Sequence, residues 1–403
     1  MATSKYSKLF SPLQLRNGNS LINRAIMGSM HTGLEEGSGF WHGLEKMAGF
    51  FEERARGHVG LIVTGGIAPN SAGRVAPTAA SMTTPSDAQR HRIVTDAVHG
   101  AGTGSKIAMQ ILHAGRYAYH PFGVAPTKLK APIGWFTPKE LSGRDVEATI
   151  DDFARASALA EEAGYDGVEI MGSEGYLINE FIASRTNRRT DEWGGAYSNR
   201  IKLPVRIVEE VRKAVRPDFI VMFRLSMLDL VDEGSEWPEV VALAQALEAA
   251  GADVINTGIG WHEARIPTIA TSVPRAGFSW VTHKLRTEGG VGVPLVATNR
   301  INMPEVAEKV LADGHADLVS MARPFLADPF LLTKAMAERE EEINTCIACN
   351  QACLDHTFQA RRASCLVNPR AGYETELHLD APAATAERIA VVGGGPAGLA
   401  FST

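Results

Sequence analysis

The sequence predicts an α/β chain whose main body is a (β/α)8 barrel. Three observations carry that expectation. Eight short apolar runs alternate with helical patterns over about the first 340 residues. One helix-to-strand boundary signature recurs three times along them. Two unusually long connections follow the third and fourth runs, on the end of a barrel where sites are built.

The runs are Arg24–Ser29, Leu61–Thr64, Ile107–Ile111, Gly167–Met171, Ile220–Leu225, Val254–Thr257, Leu295–Thr298 and Leu318–Met321. Each is continuously apolar rather than alternating, as strands buried on both faces of a parallel sheet are. Helical periodicity fills the gaps. Met47, Phe50, Phe51 and Arg54 set an apolar stripe beside a charged one. Phe153, Ser157, Leu159 and Ala160, and then Val240, Val241, Ala244 and Leu247, repeat the pattern. The recurring signature is Ala163-Gly164-x-Asp166, Ala250-Gly251-x-Asp253 and Asp313-Gly314-x-x-Asp317. It reads as a helix end, a glycine able to adopt positive φ, and the next strand. Eight repeats exceed the usual run of a doubly wound open sheet, so the closed barrel is preferred. The connection His113–Leu141 contains Pro121, Pro126, Pro132, Pro138, Trp135 and Phe136. The connection Gly172–Ser198 is rich in Arg, Asn and Gly. Connections of this length are usually functional.

Composition bounds the function. The 403 residues are 45% hydrophobic and 21% charged, with a formal net charge of −6, which fits a folded protein and gives no basic field for nucleic acid. No apolar run reaches the ~18 residues of a membrane helix, and Met1–Phe10 has no secretory apolar core. The expectation is a cytoplasmic protein.

All 4 cysteines lie together, as Cys346-x₂-Cys349-x₃-Cys353-x₁₁-Cys365. In a reducing compartment such clustering reads as metal binding rather than disulfide. Four thiolates serve either tetrahedral zinc or an iron–sulfur cluster. The three-plus-one spacing leans to a cluster of four irons, because zinc ribbons are two-plus-two. The run Glu338–Glu342 reads as a solvated helix end, and Leu379–Glu387 as an Ala/Pro-rich linker. A β-branched run, Ile389–Val392, then precedes Gly393-x-Gly395-x-x-Gly398. This is the start of a dinucleotide-binding fold, whose glycines let a pyrophosphate approach a helix N-terminus. The sequence stops at Thr403, before the acidic ribose-binding residue expected about 20 residues on. A truncated product or fragment is therefore expected, divided into residues 1–340 (barrel), 341–378 (four-cysteine segment) and 379–403 (linker and start of a dinucleotide domain).

Several segments resemble the old yellow enzyme-like FMN barrels. Gln110-Ile111-Leu112-His113-Ala114-Gly115-Arg116 resembles their third-strand motif. Gly175-Tyr176-Leu177-Ile178-Asn179-Glu180-Phe181, with Thr186 to Gly195, resembles their fourth-loop signature. Asn299-Arg300 and Met321-Ala322-Arg323-Pro324-Phe325 resemble the seventh and eighth strand ends. A barrel followed by four cysteines and a second dinucleotide motif is the layout of one branch, which holds 2,4-dienoyl-CoA reductases and trimethylamine and histamine dehydrogenases. Ser29 to Glu36, Met171 to Tyr176, Thr257 to Pro267 and Thr345 to Leu354 are most similar to the bacterial 2,4-dienoyl-CoA reductases. Met171 and Glu174 stand where plain ene-reductases often carry a His-x-x-His or His-x-x-Asn pair.

The resemblance implies FMN across the barrel mouth. Ser29, Met30, His31 and Gly66 would line it by backbone contact. Gln110 would meet the pyrimidine edge and Arg224 the anionic side of the reduced flavin. Asn299, Arg300, Ala322 and Arg323 would hold the phosphate, which a guanidinium fork suits. Alone, Gln110 or Arg224 would read as a satisfied barrel-interior polar group; their shared place at strand ends favours the flavin. The resemblance implies reduction of 2,4-dienoyl-CoA to enoyl-CoA in unsaturated fatty acid β-oxidation. Tyr176 would donate the proton, and His262 would assist it and polarise the thioester. Glu174 would tune Tyr176, and Arg265 would contact the thioester or CoA. It also implies a [4Fe–4S] cluster on Cys346, Cys349, Cys353 and Cys365, fed from NADPH through FAD in a full-length chain, so this chain alone is expected not to use NADPH efficiently. Two competitors remain: an amine dehydrogenase of the same branch, and a non-catalytic product that binds flavin or cluster.

Overall fold

The computed structural model describes residues 5–35, 44–378 and 388–402. Glu36 and the linker expected at Leu379–Glu387 lie outside the described residues. All eight expected strands form: β1 (Ala25–Met27), β2 (Leu61–Val63), β3 (Lys106–Ile111), β4 (Gly167–Gly172), β5 (Ile220–Leu228), β6 (Val254–Ile259), β7 (Leu295–Ala297) and β8 (Leu318–Ser320). Each pairs in parallel with its sequence neighbour, and β8 pairs with β1, closing the barrel. The helices that follow the strands in turn include Glu45–Arg56, Pro85–Gly100, Gly143–Glu162, Lys202–Ala214, Trp237–Ala250, Ser279–Glu288, Pro304–Ala312 and Leu331–Met336.

Local chemistry sets these boundaries. Capping boxes open the second and third of these helices: Thr84 with Asp87, and Ser142 with Asp145. The recurring signature does what its glycines predict, with φ of 89° at Gly164, 112° at Gly251 and 71° at Gly314. An N-terminal hairpin pairs Leu13–Gln14 with Ser20–Leu21. Its Leu15 and Leu21 join Ile26, Leu61, Met222, Val254 and Leu318 in one buried cluster, so one end of the barrel interior is plugged with apolar side chains. The polar strand ends are left at the other mouth. Among the described residues no helix is long and apolar enough to cross a membrane.

Two expectations need correction. Arg54 is not on a charged outer stripe; it is 0% exposed. Its Nη1 lies 2.6 Å from Glu374 Oε1, and its guanidinium sits 3.8 Å from the Phe50 ring centroid. An ion partner from the segment beyond the cysteines thus brings the charge inside. The run Ile389–Val392 is not a strand. Ile389, Val391 and Val392 are exposed, and no described strand pairs with them, so its backbone has no ladder to join. A short helix, Pro396–Ser402, does follow. The acidic run ends in a 3-10 turn, Glu340–Glu342, where Glu340 meets Lys5 at 2.7 Å rather than only water.

The Arg54–Glu374 pair fixes the C-terminal segment to the barrel. Glu374→Ala leaves a buried guanidinium with the Phe50 and Phe325 carbonyls as acceptors and, for its charge, only the flanking Glu53 carboxylate at 3.5 Å. It is expected to cost about 3 kcal/mol, read as a lowered thermal midpoint. An Arg54→Met/Glu374→Leu double variant is expected to recover most of the loss. A midpoint unchanged by Glu374→Ala would show that the pair does not hold the segment.

Candidate active site at the barrel mouth

Tyr176 and His262 meet at the barrel mouth. Tyr176 immediately follows Gly175, whose φ is +85°. A Cβ there would fall 2.5 Å from Tyr117 Oη and 2.8 Å from the Trp261 ring, so both conformation and space require glycine. The Tyr176 hydroxyl lies 2.9 Å from His262 Nε2. The His262 backbone N–H donates to the Glu174 carbonyl at 3.2 Å, which ties the loop after β6 to the loop after β4. Tyr117 stands edge-on to both rings, at 5.8 Å from Tyr176 and 5.7 Å from His262. His262 is open to solvent, so the pair lies at the surface of the mouth rather than in a sealed core.

The surroundings hold both groups neutral at pH 7. Burial raises the Tyr176 pKa above its ordinary 10.0, and Glu174 and Tyr119 add to the rise against Arg224. Burial lowers His262 below 6.5; Glu174 opposes that shift and Arg224 reinforces it. Glu174 itself is left-handed at φ 64° and pairs with Arg224 Nη2 at 2.6 Å.

Below the pair, polar strand ends line the barrel. Gln110 donates through Nε2 to Glu169 Oε2 at 2.7 Å, and Asn256 donates to Glu169 Oε1 at 2.7 Å. Arg224 Nε is a buried donor with no protein partner. A bound acceptor such as a flavin ring edge would satisfy it, so the donor set fits the implied cofactor. Ser29, Met30, His31 and Gly66 are half-buried at the ends of β1 and β2. Asn299 and Arg300 are consecutive non-glycine residues at φ 68° and 61° after β7, the kind of backbone strain that gathers at ligand sites. Arg300 donates to the Val273 carbonyl at 2.9 Å, and burial followed by repulsion from Arg323 lowers its pKa. Arg323, next to Ala322, is turned to other partners: the Asn350 side chain and, at 2.8 Å, the Ile269 carbonyl. Arg265 is exposed within the loop that carries His262.

The four cysteines line one small cavity of about 10 Å³, together with Arg323. Among the described residues no group of three or more His, Cys, Asp or Glu is placed to hold a single metal ion. Burial pushes the Cys365 thiol up to about 11, and neighbouring Cys346 and Cys353 add to the rise. The segment is anchored to the barrel: Asn302 donates to the Cys346 carbonyl at 2.9 Å and Thr271 to the Ile347 carbonyl at 2.7 Å. Gly393, Gly395 and Gly398 are not brought to this site. They form their own turn, in which a Cβ on Gly398 would lie 2.0 Å from the Gly393 carbonyl oxygen.

Other groups escaped the sequence reading. Glu169 organises the barrel floor; a lone carboxylate between Val168 and Ile170 in an inward-facing register was its signal. Glu263 is a buried carboxylate between Arg116 at 2.8 Å and Arg185 at 2.9 Å, with the Tyr117 hydroxyl at 3.3 Å. It locks the loops after β3, β4 and β6 together beneath Tyr176.

The closed parallel barrel with this mouth is a barrel of the old yellow enzyme type. Residues 8–342 match the NADH:flavin oxidoreductase / NADH oxidase family, and the chain belongs to that family. It is 38% identical over 403 residues to a metal reductase of Desulforamulus reducens, covering 98% of this chain and 58% of the relative. It is 33% identical over 403 residues to an NADH oxidase of Thermoanaerobacter brockii, covering 98% and 61%. Among solved structures, 2-naphthoyl-CoA reductase with 2-naphthoyl-CoA aligns with a TM-score of 0.92 at 29% identity, over 98% of this chain and 62% of that one. The chain thus spans about three fifths of the length of these relatives.

Proposed function

We propose that the chain is the flavin- and cluster-bearing part of a cytoplasmic reductase that converts 2,4-dienoyl-CoA thioesters to enoyl-CoA thioesters. The observation that carries this reading is the neutral Tyr176–His262 pair, 2.9 Å apart over the polar strand ends. FMN held by Gln110, Arg224, Arg300 and the loop Ser29 to His31 would supply hydride to the distal carbon of the diene. The conjugated thioester then carries excess electron density, and Tyr176 returns a proton to it. With the ring proton on Nε2, His262 donates to Tyr176 Oη and stabilises the phenolate left behind. A neutral imidazole has a single N–H, so with that proton turned to Tyr176 His262 does not also polarise the thioester carbonyl; in this reading Glu174 and Arg224 balance each other's charge beside it, and exposed Arg265 meets CoA. A [4Fe–4S] cluster on the four cysteines would supply single electrons, with FAD and NADPH belonging to a longer chain. The structural relative that carries 2-naphthoyl-CoA supports a conjugated thioester as substrate.

The test is an anaerobic absorption spectrum with the released flavin identified and iron counted, followed by turnover of a 2,4-dienoyl-CoA by dithionite-reduced protein. FMN, about four irons per chain and loss of the dienoyl absorbance are expected. Zinc without flavin would overturn the cofactors. Oxidation of trimethylamine with no dienoyl turnover would favour the amine dehydrogenase reading, and flavin with neither activity a non-catalytic one.

A further inference from the structure

We propose that Phe358, carried by the cysteine segment, is a specificity-determining wall of the substrate site that selects acyl groups ending in a planar aromatic ring. This rests on the reading of Tyr176 and His262 as the acid pair of a thioester reductase. The Phe358 ring lies perpendicular to His262 at 6.4 Å, yet Phe358 is 58% exposed. A phenyl group beside the reacting residues and open to solvent is a contact surface that the folded chain leaves uncovered.

Its backbone is held. Phe358 ends the short helix Leu354–Phe358, which begins next to Cys353. The Thr357 backbone N–H donates to the Cys353 carbonyl at 3.0 Å, and the Thr357 hydroxyl donates to the His31 carbonyl at 3.0 Å. Beyond the helix, the Ala363 N–H donates to the Thr32 carbonyl at 2.8 Å. The cysteine segment is thus stitched to the loop after β1 on both sides of Phe358, and the ring is presented from a fixed frame. The long loop after β3 adds a second exposed aromatic pair. Tyr119 and Trp135 form an edge-on pair at 5.5 Å, and both are exposed. A planar ring at the far end of a conjugated acyl chain gains from edge and offset contacts with such aromatic surface, where a short alkyl end gains little.

The experiment compares flavin-loaded wild type with Phe358→Ala and Phe358→Leu on 5-phenyl-2,4-pentadienoyl-CoA and 2,4-hexadienoyl-CoA, under dithionite reduction. Phe358→Ala is expected to raise KM for the phenyl thioester about 10-fold and for the hexadienoyl thioester less than about 2-fold, with kcat within about 2-fold for both. Phe358→Leu is expected to fall between, and it serves as the test if the alanine variant loses iron or fails to fold. Equal changes on both thioesters would overturn the proposal, because the ring would then read CoA or only support the fold. No change on either would overturn it too. The same two thioesters are also titrated against oxidised protein by flavin absorbance. Phenyl-selective weakening there without turnover would sink the reductase reading and keep this one. Equal weakening, or no binding of the phenyl thioester to wild type, would overturn it.

Discussion

Tyr176→Phe is expected to lower turnover of a 2,4-dienoyl thioester by about 10²- to 10⁴-fold, the usual span for losing a positioned general acid. The substitution removes one hydroxyl and keeps the ring, so the edge contacts with Tyr117 and His262 remain. Flavin content and thermal midpoint are therefore expected to hold while kcat falls. The pH profile follows from the same surroundings. The Tyr176 pKa is raised above 10.0, so the phenol keeps its proton as pH rises through 9. The His262 pKa is lowered from 6.5, so the imidazole is already neutral at pH 7 and gains its proton only at more acid pH. Neither group changes charge between pH 7 and 9, and wild-type kcat under dithionite is expected to be flat there. A Tyr176→Phe enzyme with near-wild-type kcat would remove the acid role, and a steep slope in that window would assign proton delivery to another group.

The barrel was legible because its signals are local. Continuous apolar runs located every barrel strand, and Gly167–Met171 differs from the observed β4, Gly167–Gly172, by one residue. The three helix-ending glycines act through φ alone, which a dipeptide context reveals. What was not legible depends on distant partners. Arg54 reads as a surface charge until Glu374, 320 residues away, is placed beside it. Glu263 finds Arg116 and Arg185 at separations of 147 and 78 residues, and no periodicity encodes such pairs. The Tyr176–His262 pairing spans 86 residues and came only from resemblance, although Gly175 and the long loop marked where to look. The run Ile389–Val392 shows the converse. Its composition is that of a strand, but a strand exists only with a partner, and no described residues offer one.

The four-cysteine cavity makes the second strong prediction, because the ligand set of the proposed cluster can be tested one sulfur at a time. Zinc requires four sulfurs about 2.3 Å from one centre. A single zinc and a four-iron cluster are told apart by metal content, and the lining of one small cavity by all four thiols is common ground for both. Cys365 is the ligand to test. It comes from the distant arm of the motif, where the Asn368 N–H donates to its carbonyl at 3.2 Å and the Asn368 side chain donates to the Leu326 carbonyl at 3.0 Å. Those backbone ties do not involve the sulfur, so Cys365→Ser keeps the arm in place and removes only a thiolate. Purified anaerobically, the variant is expected to fall from about four irons per chain to below about one, with flavin retained because the barrel mouth is untouched. Ser364 offers the control: its N–H donates to the Ala352 carbonyl at 2.7 Å, which joins the two arms through backbone alone. Ser364→Ala is expected to keep its iron. Full iron in Cys365→Ser would remove that residue from the ligand set, and equal loss in both variants would mean that the arm's shape, rather than its sulfur, retains the metal.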